Sequence, residues 1–255
     1  FDAEPGLDFS YNVTSSIKLT GTINTDFGET EVDARQINLS RFSLFFPEKR
    51  SFFLEDAGVF AFASTGPNSP GGVPSARADV YPFFSRRIGL VNGQEVPINV
   101  GLKGTGKAGN TDFGLLYAGT DNTSFVDSKE FIVARVKQNL FEQSYVGGIF
   151  TDGNPALGME GETYGVDARL ATSDFLGTDK NFVVNAYGTK SDNGGFSDND
   201  QSYGISAHYP NDSYVGELVY RVIEKDFNPA LGFVQRKNVR MYRAGASYNP
   251  RPKNL

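Results

Sequence analysis

The chain has 255 residues, a net charge of −6 and no cysteine. An acidic balance argues against nucleic acid as a partner, since phosphate binding needs a basic face, and the missing thiols exclude a disulfide framework. No apolar run of about 18 residues is present, which excludes a transmembrane helix and leaves one large all-β domain as the economical reading of the length.

From the N-terminus, Leu7–Val13 and Ser16–Phe27 read as strands; in the second, Ile17, Leu19, Gly21 and Ile23 alternate with Lys18, Thr20, Thr22 and Asn24. Glu29–Ser40 is a further strand candidate, polar on both faces. Arg41–Gly89 breaks the alternation: Phe45-Phe46, Phe52-Phe53 and Phe83-Phe84 stand beside Arg41, Glu48, Lys49, Arg50, Glu55, Arg86 and Arg87. Paired aromatics supply buried area, and guanidinium groups near carboxylates form bidentate pairs where water is scarce. Residues 41–89 are therefore expected to fold inward as an aromatic and charged segment, with those seven charges as a cluster lining or plugging a lumen. Arg41, Glu48, Arg50, Glu55, Arg86 and Arg87 are expected to converge there.

Regular alternation then resumes. Pro97–Lys107 and Asp112–Gly119 are joined across Ala108-Gly109-Asn110-Thr111, a tight-hairpin signal. Phe131–Leu140, Ser144–Thr151, Thr163–Ala171, Phe182–Lys190, Gln201–Tyr209, Tyr214–Glu224 and Met241–Tyr248 follow. Most have the ~9–11 residues that a tilted strand needs to cross a bilayer. Connections alternate in size: Gly109-Asn110, Phe141-Glu142-Gln143, Gly177-Thr178-Asp179 and Pro210-Asn211-Asp212 are short, whereas Thr120–Lys129, Asp152–Glu162, Ser191–Asp200 and Lys225–Arg240 are long. That sorting, with tyrosines at the ends of apolar faces, is the pattern of an antiparallel up-and-down transmembrane β-barrel in a bacterial outer membrane. A soluble sandwich with one wet face is the alternative.

Several ordered motifs carry a resemblance: Asn24-Thr25-Asp26-Phe27-Gly28 with Glu31-Val32-Asp33; Asn38-Leu39-Ser40-Arg41-Phe42; Phe46-Pro47-Glu48-Lys49-Arg50-Ser51-Phe52-Phe53-Leu54-Glu55; Phe84-Ser85-Arg86-Arg87-Ile88-Gly89; and Asn228-Pro229-Ala230-Leu231-Gly232-Phe233-Val234-Gln235-Arg236. Together they resemble the C-terminal domain of uncharacterised Gram-negative surface proteins whose N-terminal domain looks like a family-nine carbohydrate-binding module. The resemblance implies an outer-membrane barrel with no assigned activity. The carbohydrate-binding-like domain is missing, so glycan binding is not carried over. Residues 1–255 are expected to be one barrel domain, incomplete at the C-terminus, with Tyr242–Tyr248 beside a strand from elsewhere. The expected partners are the lipid bilayer and another outer-membrane or surface protein.

Chemistry is sparse. Gly101–Ala108 nearly spells a phosphate-binding loop, but Ala108 replaces the magnesium-binding hydroxyl and the residues lie within a strand. Glu48 and Glu55 could act as acid and base, yet basic neighbours keep carboxylates ionised. His208 is the only histidine, which gives zinc sites and serine triads little support. Asp192, Asn193, Asp198, Asn199 and Asp200 crowd one loop without the spacing of a helix–loop–helix calcium site. The expectation is a protein that is not an enzyme and uses no cofactor, anchoring a surface module or passing a solute. A soluble glycan-binding or glycan-cleaving β domain is the rival.

Overall fold

The computed structural model describes residues 6–25, 45–63, 80–91, 94–156, 160–195 and 197–251. Arg41 and the strand candidate Glu29–Ser40 lie outside the described residues. The chain opens with β1 (Leu7–Thr14) and β2 (Ile17–Thr25). A mostly irregular stretch follows, holding α1 (Ser51–Leu54), 3₁₀ turns at Ala57–Phe60 and Ser85–Arg87, and the two-residue strands β3 (Val80–Tyr81), β4 (Leu90–Val91) and β5 (Gln94–Glu95). Next come β6 (Ile98–Ala108), β7 (Thr111–Thr120), β8 (Glu130–Leu140), β9 (Ser144–Asp152), β10 (Glu162–Thr172), β11 (Phe182–Asp192), β12 (Gln201–Pro210) and β13 (Tyr214–Ile223). β14 (Phe233–Val234) and β15 (Val239–Tyr248) complete it.

The protein is all-β. Eleven strands form one antiparallel sheet in the order β1-β2-β6-β7-β8-β9-β10-β11-β12-β13-β15. Among the described residues β1 pairs only with β2 and β15 only with β13, so these two strands are the sheet's edges. Among the described residues Tyr242–Tyr248 thus does not pair with Leu7–Thr25. Connections at residues 109–110, 141–143 and 211–213 lie at one end of the sheet, and 121–129, 153–161, 193–200 and 224–238 at the other. The β10–β11 connection is a correction to the three-residue turn expected there. It runs over residues 173–181 and holds a 3₁₀ turn at Phe175–Gly177, where Phe175 stacks on Phe182 at 4.4 Å.

One face of the sheet is apolar yet exposed, and the other is buried with polar and apolar side chains mixed, Leu116, Val133, Ile149, Val183 and Val219 lying among the polar ones. On the bare face, Phe9, Tyr11, Leu19, Leu102, Leu115, Ile132, Val136, Val146, Val166, Leu170, Ile205 and Leu218 are all exposed. On the other face Lys103, Thr105, Arg135, Thr151, Thr163, Asp167, Thr189, Ser202, Ser206 and Arg221 are buried. Register keeps each set together, because a strand's side chains alternate faces: Leu19 sits opposite Gly104, Gly104 opposite Leu115, and Leu115 opposite Ala134. Isolated exposed apolar residues are ordinary, but a contiguous apolar face across a whole sheet is not.

Residues 45–63 and 80–91 cover the polar face. Phe52, Phe53, Phe60 and Ile88 pack with Ile98, Leu116, Ala118, Phe131 and Val133 of the wall and with Leu231 of the β13–β15 connection. Wall glycines make room for the rings: a Cβ on Gly101, Gly114 or Gly165 would lie within 2.9–3.0 Å of Phe52, Phe60 or Phe62. β3 pairs with β14, and Phe45, Tyr81, Phe84 and Phe233 gather with ring centroids 5.0–6.4 Å apart. Asn228–Phe233 therefore ties the 80–91 stretch to the far end of the chain, with the Phe84 amide donating to the Leu231 carbonyl at 2.7 Å.

Candidate functional site

The candidate site is the contact between this covering segment and the wall. It has three polar fastenings.

The first lies within the segment. Glu48 and Arg50 form a bidentate pair, Nε to Oε1 at 2.9 Å and NH2 to Oε2 at 2.7 Å. The same guanidinium donates to the carbonyls of Ser85 and Ile88, both at 2.8 Å, and lies 4.3 Å over the Phe53 ring. Ser85 Oγ donates to Glu48 Oε2 at 2.6 Å. This knot joins residues 45–63 to 80–91. Burial pushes the Glu48 carboxyl up, but hydrogen bonds from Arg50 and its charge, with Ser85 and a backbone amide, outweigh that and hold it below its ordinary 4.5.

The second is at the end of α1. Lys103 of β6 donates to the carbonyls of Phe52 and Glu55, each at 2.5 Å, which places a cation on the C-terminal carbonyls of the turn. The Glu55 carboxylate faces Lys18 and Thr20 of β2, with Thr20 Oγ1 at 3.3 Å. Its hydrogen bond with Lys18 is the main reason that the Glu55 pKa is lowered. Thr105 Oγ1 donates to Asp56 Oδ2 at 3.1 Å.

The third is the most buried. Arg135 of β8 and Asp167 of β10 pair at 2.7 and 3.0 Å with side chains 1% and 0% exposed. Arg135 Nε donates to the Ala61 carbonyl at 3.1 Å, and the Ala63 amide donates to Asp167 Oδ2 at 3.0 Å. Tyr145 adds a hydroxyl to Asp167 at 3.1 Å, and the Phe62 ring lies 5.4 Å from the guanidinium. The pair thus grips the backbone on both sides of Phe62. The guanidinium fits because position 147 lacks a side chain: a Cβ there would be 2.6 Å from Arg135 NH1.

The expected charges therefore divide. Glu48 and Arg50 meet. Arg86 and Arg87 flank them, Arg86 donating to the Pro47 carbonyl at 3.0 Å and Arg87 to the Ala230 carbonyl at 3.3 Å. Glu55 belongs to the Lys18–Lys103 fastening instead, and Lys49 is exposed. Arg135, Asp167, Lys103 and Lys18 were not singled out from sequence. The one sequence signal for the clamp is Gly147-Gly148 inside a strand, since glycine there marks a close approach.

Between Asp56–Val59 and the short-connection ends of β1, β2, β6, β7 and β8 lies a cavity of about 550 Å³. Its polar lining includes Lys18, Asp56, Thr105, Lys107, Asp112 and Lys137, and Lys137 pairs with Asp112 at 3.2 Å. Glycines 101, 104 and 106 and Lys103 lie in β6, in mid-sheet, without a following helix. His208 is buried on β12, its Nδ1 4.0 Å from Glu217 of β13, whose other oxygen meets Arg243 of β15 at 2.5 Å. Among the described residues no three His, Cys, Asp or Glu side chains gather closely enough to share a metal ion.

A family model described as a domain of unknown function (DUF5916) matches residues 1–66. That span holds β1, β2, α1 and Ala61–Ala63, and so one side of each fastening, while Ser85, Lys103, Arg135 and Asp167 lie outside it. No curated protein matches the chain.

Proposed function

We propose that this chain is a membrane-spanning β-barrel, or the N-terminal part of a larger one, of a bacterial outer membrane, and that it anchors a surface module or passes a solute without catalysing a reaction. The exposed face carries the reading: it stays apolar across the sheet, opposite a covered face that buries charged and polar side chains such as Lys103, Arg135, Asp167 and Arg221 among its apolar ones. Hydrocarbon accepts the first, and the second is what a barrel keeps inside. Three neighbouring strands add a girdle, with Tyr203 and Tyr209, Tyr214 and Tyr220, and Tyr242 and Tyr248 each six residues apart on the bare face. At about 3.3 Å per residue each pair spans ~20 Å along the strand, or ~15 Å of height at a tilt of about 40°, which sets the two rows toward opposite ends of a ~25 Å apolar band. The resemblance to surface-protein C-terminal domains points the same way. In this reading residues 45–63 and 80–91 are a plug held by the three fastenings, and the 550 Å³ cavity is the polar space left beside it.

The test is fractionation with gel mobility. The protein should remain with outer membranes, need detergent for extraction, and migrate differently when unheated. A chain that is monomeric and soluble without detergent would refute the barrel and favour a soluble β domain.

A further inference from the structure

We infer that β1 and β15 are docking edges for an odd number of further antiparallel strands, the first running beside β15 from the short-connection end to the long-connection end. The inference rests on the barrel reading. Its basis is strand direction. Successive neighbours in the eleven-stranded sheet are antiparallel, so its first and eleventh members, β1 and β15, run the same way. Joining them directly would make one parallel seam in an otherwise antiparallel wall. An odd number of intervening strands restores antiparallel pairing on both sides, in keeping with the even strand totals of bacterial single-chain barrels.

Exposure agrees. Every residue of β1 is exposed, and Tyr242–Tyr248 are exposed on both faces, whereas their neighbours β2 and β13 contain the buried Thr22, Val219 and Arg221. The chemistry of the intervening strands follows from what the edges present. Leu7, Phe9, Tyr11 and Val13, and across the sheet Tyr242, Ala244, Ala246 and Tyr248, call for apolar residues on the bare side. Asp8, Ser10 and Asn12, with Arg243, Gly245 and Ser247, call for polar residues on the covered side. An open edge in lipid would leave backbone groups without partners, which a bilayer does not tolerate.

A second copy of the chain does not satisfy this pattern. Two copies related by an axis along the membrane normal would set β15 of one beside β1 of the other, again parallel. Antiparallel pairing of β15 with β15 would turn one copy upside down in the membrane.

Cysteine pairs in the otherwise cysteine-free chain test the seam. Disulfides need Cα atoms within about 4.4–6.8 Å, and one intervening strand moves β1 and β15 about 10 Å apart. Asp8, Ser10 and Asn12 would each be replaced by cysteine, in turn with Arg243, Gly245 and Ser247, in protein taken from the membrane fraction. Ser10→Cys with Thr20→Cys, opposite each other on β1 and β2, is the control. The control should oxidise, and no β1–β15 pair should. A β1–β15 disulfide within one chain, or one that joins two copies, would overturn the inference while leaving the barrel reading intact. Protein found only in the soluble fraction would overturn both.

Discussion

The two arginine–carboxylate pairs that hold the covering segment differ in what they join. Glu48–Arg50 is two residues apart in sequence and folds the segment onto itself. Arg135–Asp167 joins β8 to β10 across β9 and grips the backbone of Ala61 and Ala63. The first shapes the covering segment, and the second docks it on the sheet. A buried pair stabilises little against an apolar substitute, but losing one partner strands the other charge away from water. Their value here is therefore positional: each fixes backbone that has no strand to pair with.

Breaking the clamp should have the largest effect. Asp167→Ala leaves a guanidinium buried and uncompensated, along with the Ala63 amide and the Tyr145 hydroxyl, and should cost about 3–5 kcal/mol in urea-titrated refolding into detergent. Replacing both charges together, Arg135→Met with Asp167→Leu, should cost less than Asp167→Ala alone if the stranded charge is the main penalty; an equal or larger loss would mean that the lost grip on the Ala61 and Ala63 backbone matters more.

An arginine placed on the bare face comes next. Val166→Arg, at mid-strand, should cost about 2–4 kcal/mol in lipid, falling toward zero if that face contacts water. On the segment side, Arg50→Ala should cost about 2–3 kcal/mol, since it frees Glu48 and two carbonyls together, and should loosen residues 80–91 before it affects the wall. Proteolysis of the folded protein would show this as cleavage within the segment with an intact sheet.

The knot also has a pH signature. Because the folded Glu48 pKa lies below its ordinary 4.5, its contribution is complete above that value and is lost as pH falls through the depressed folded one. Stability should therefore decline in acid below about pH 4.5, and Glu48→Gln should flatten that limb. Arg86→Ala should be the mildest change, within about 0.5–1.5 kcal/mol, since its hydrogen bond to the Pro47 carbonyl is exposed to solvent.

The same contrast marks what could be read from sequence. Strands β6 to β13 lie within a few residues of the predicted runs because alternation is local. The Glu48–Arg50 pair was legible for the same reason. The clamp was not: Arg135 and Asp167 look like ordinary polar-face residues until register sets Asp167 opposite Gly147 and Arg135 opposite Ile149. Glu55 was grouped with its sequence neighbours, yet pairing of β2 with β6 brings Lys18 and Lys103 to it instead. Short α and 3₁₀ turns in residues 51–60 carried no period long enough to detect.

The orientation of the two faces is the claim on which everything else depends, and the absence of tryptophan gives a direct probe of it. Single tryptophans at Val136, Leu170 and Leu218 on the bare face, and at Lys137 and Arg169 on the covered one, would be placed in vesicles of brominated lipid. Strong quenching and blue-shifted emission are expected at the first three and neither at the last two. Equal, weak quenching at all five positions would contradict a lipid-facing wall.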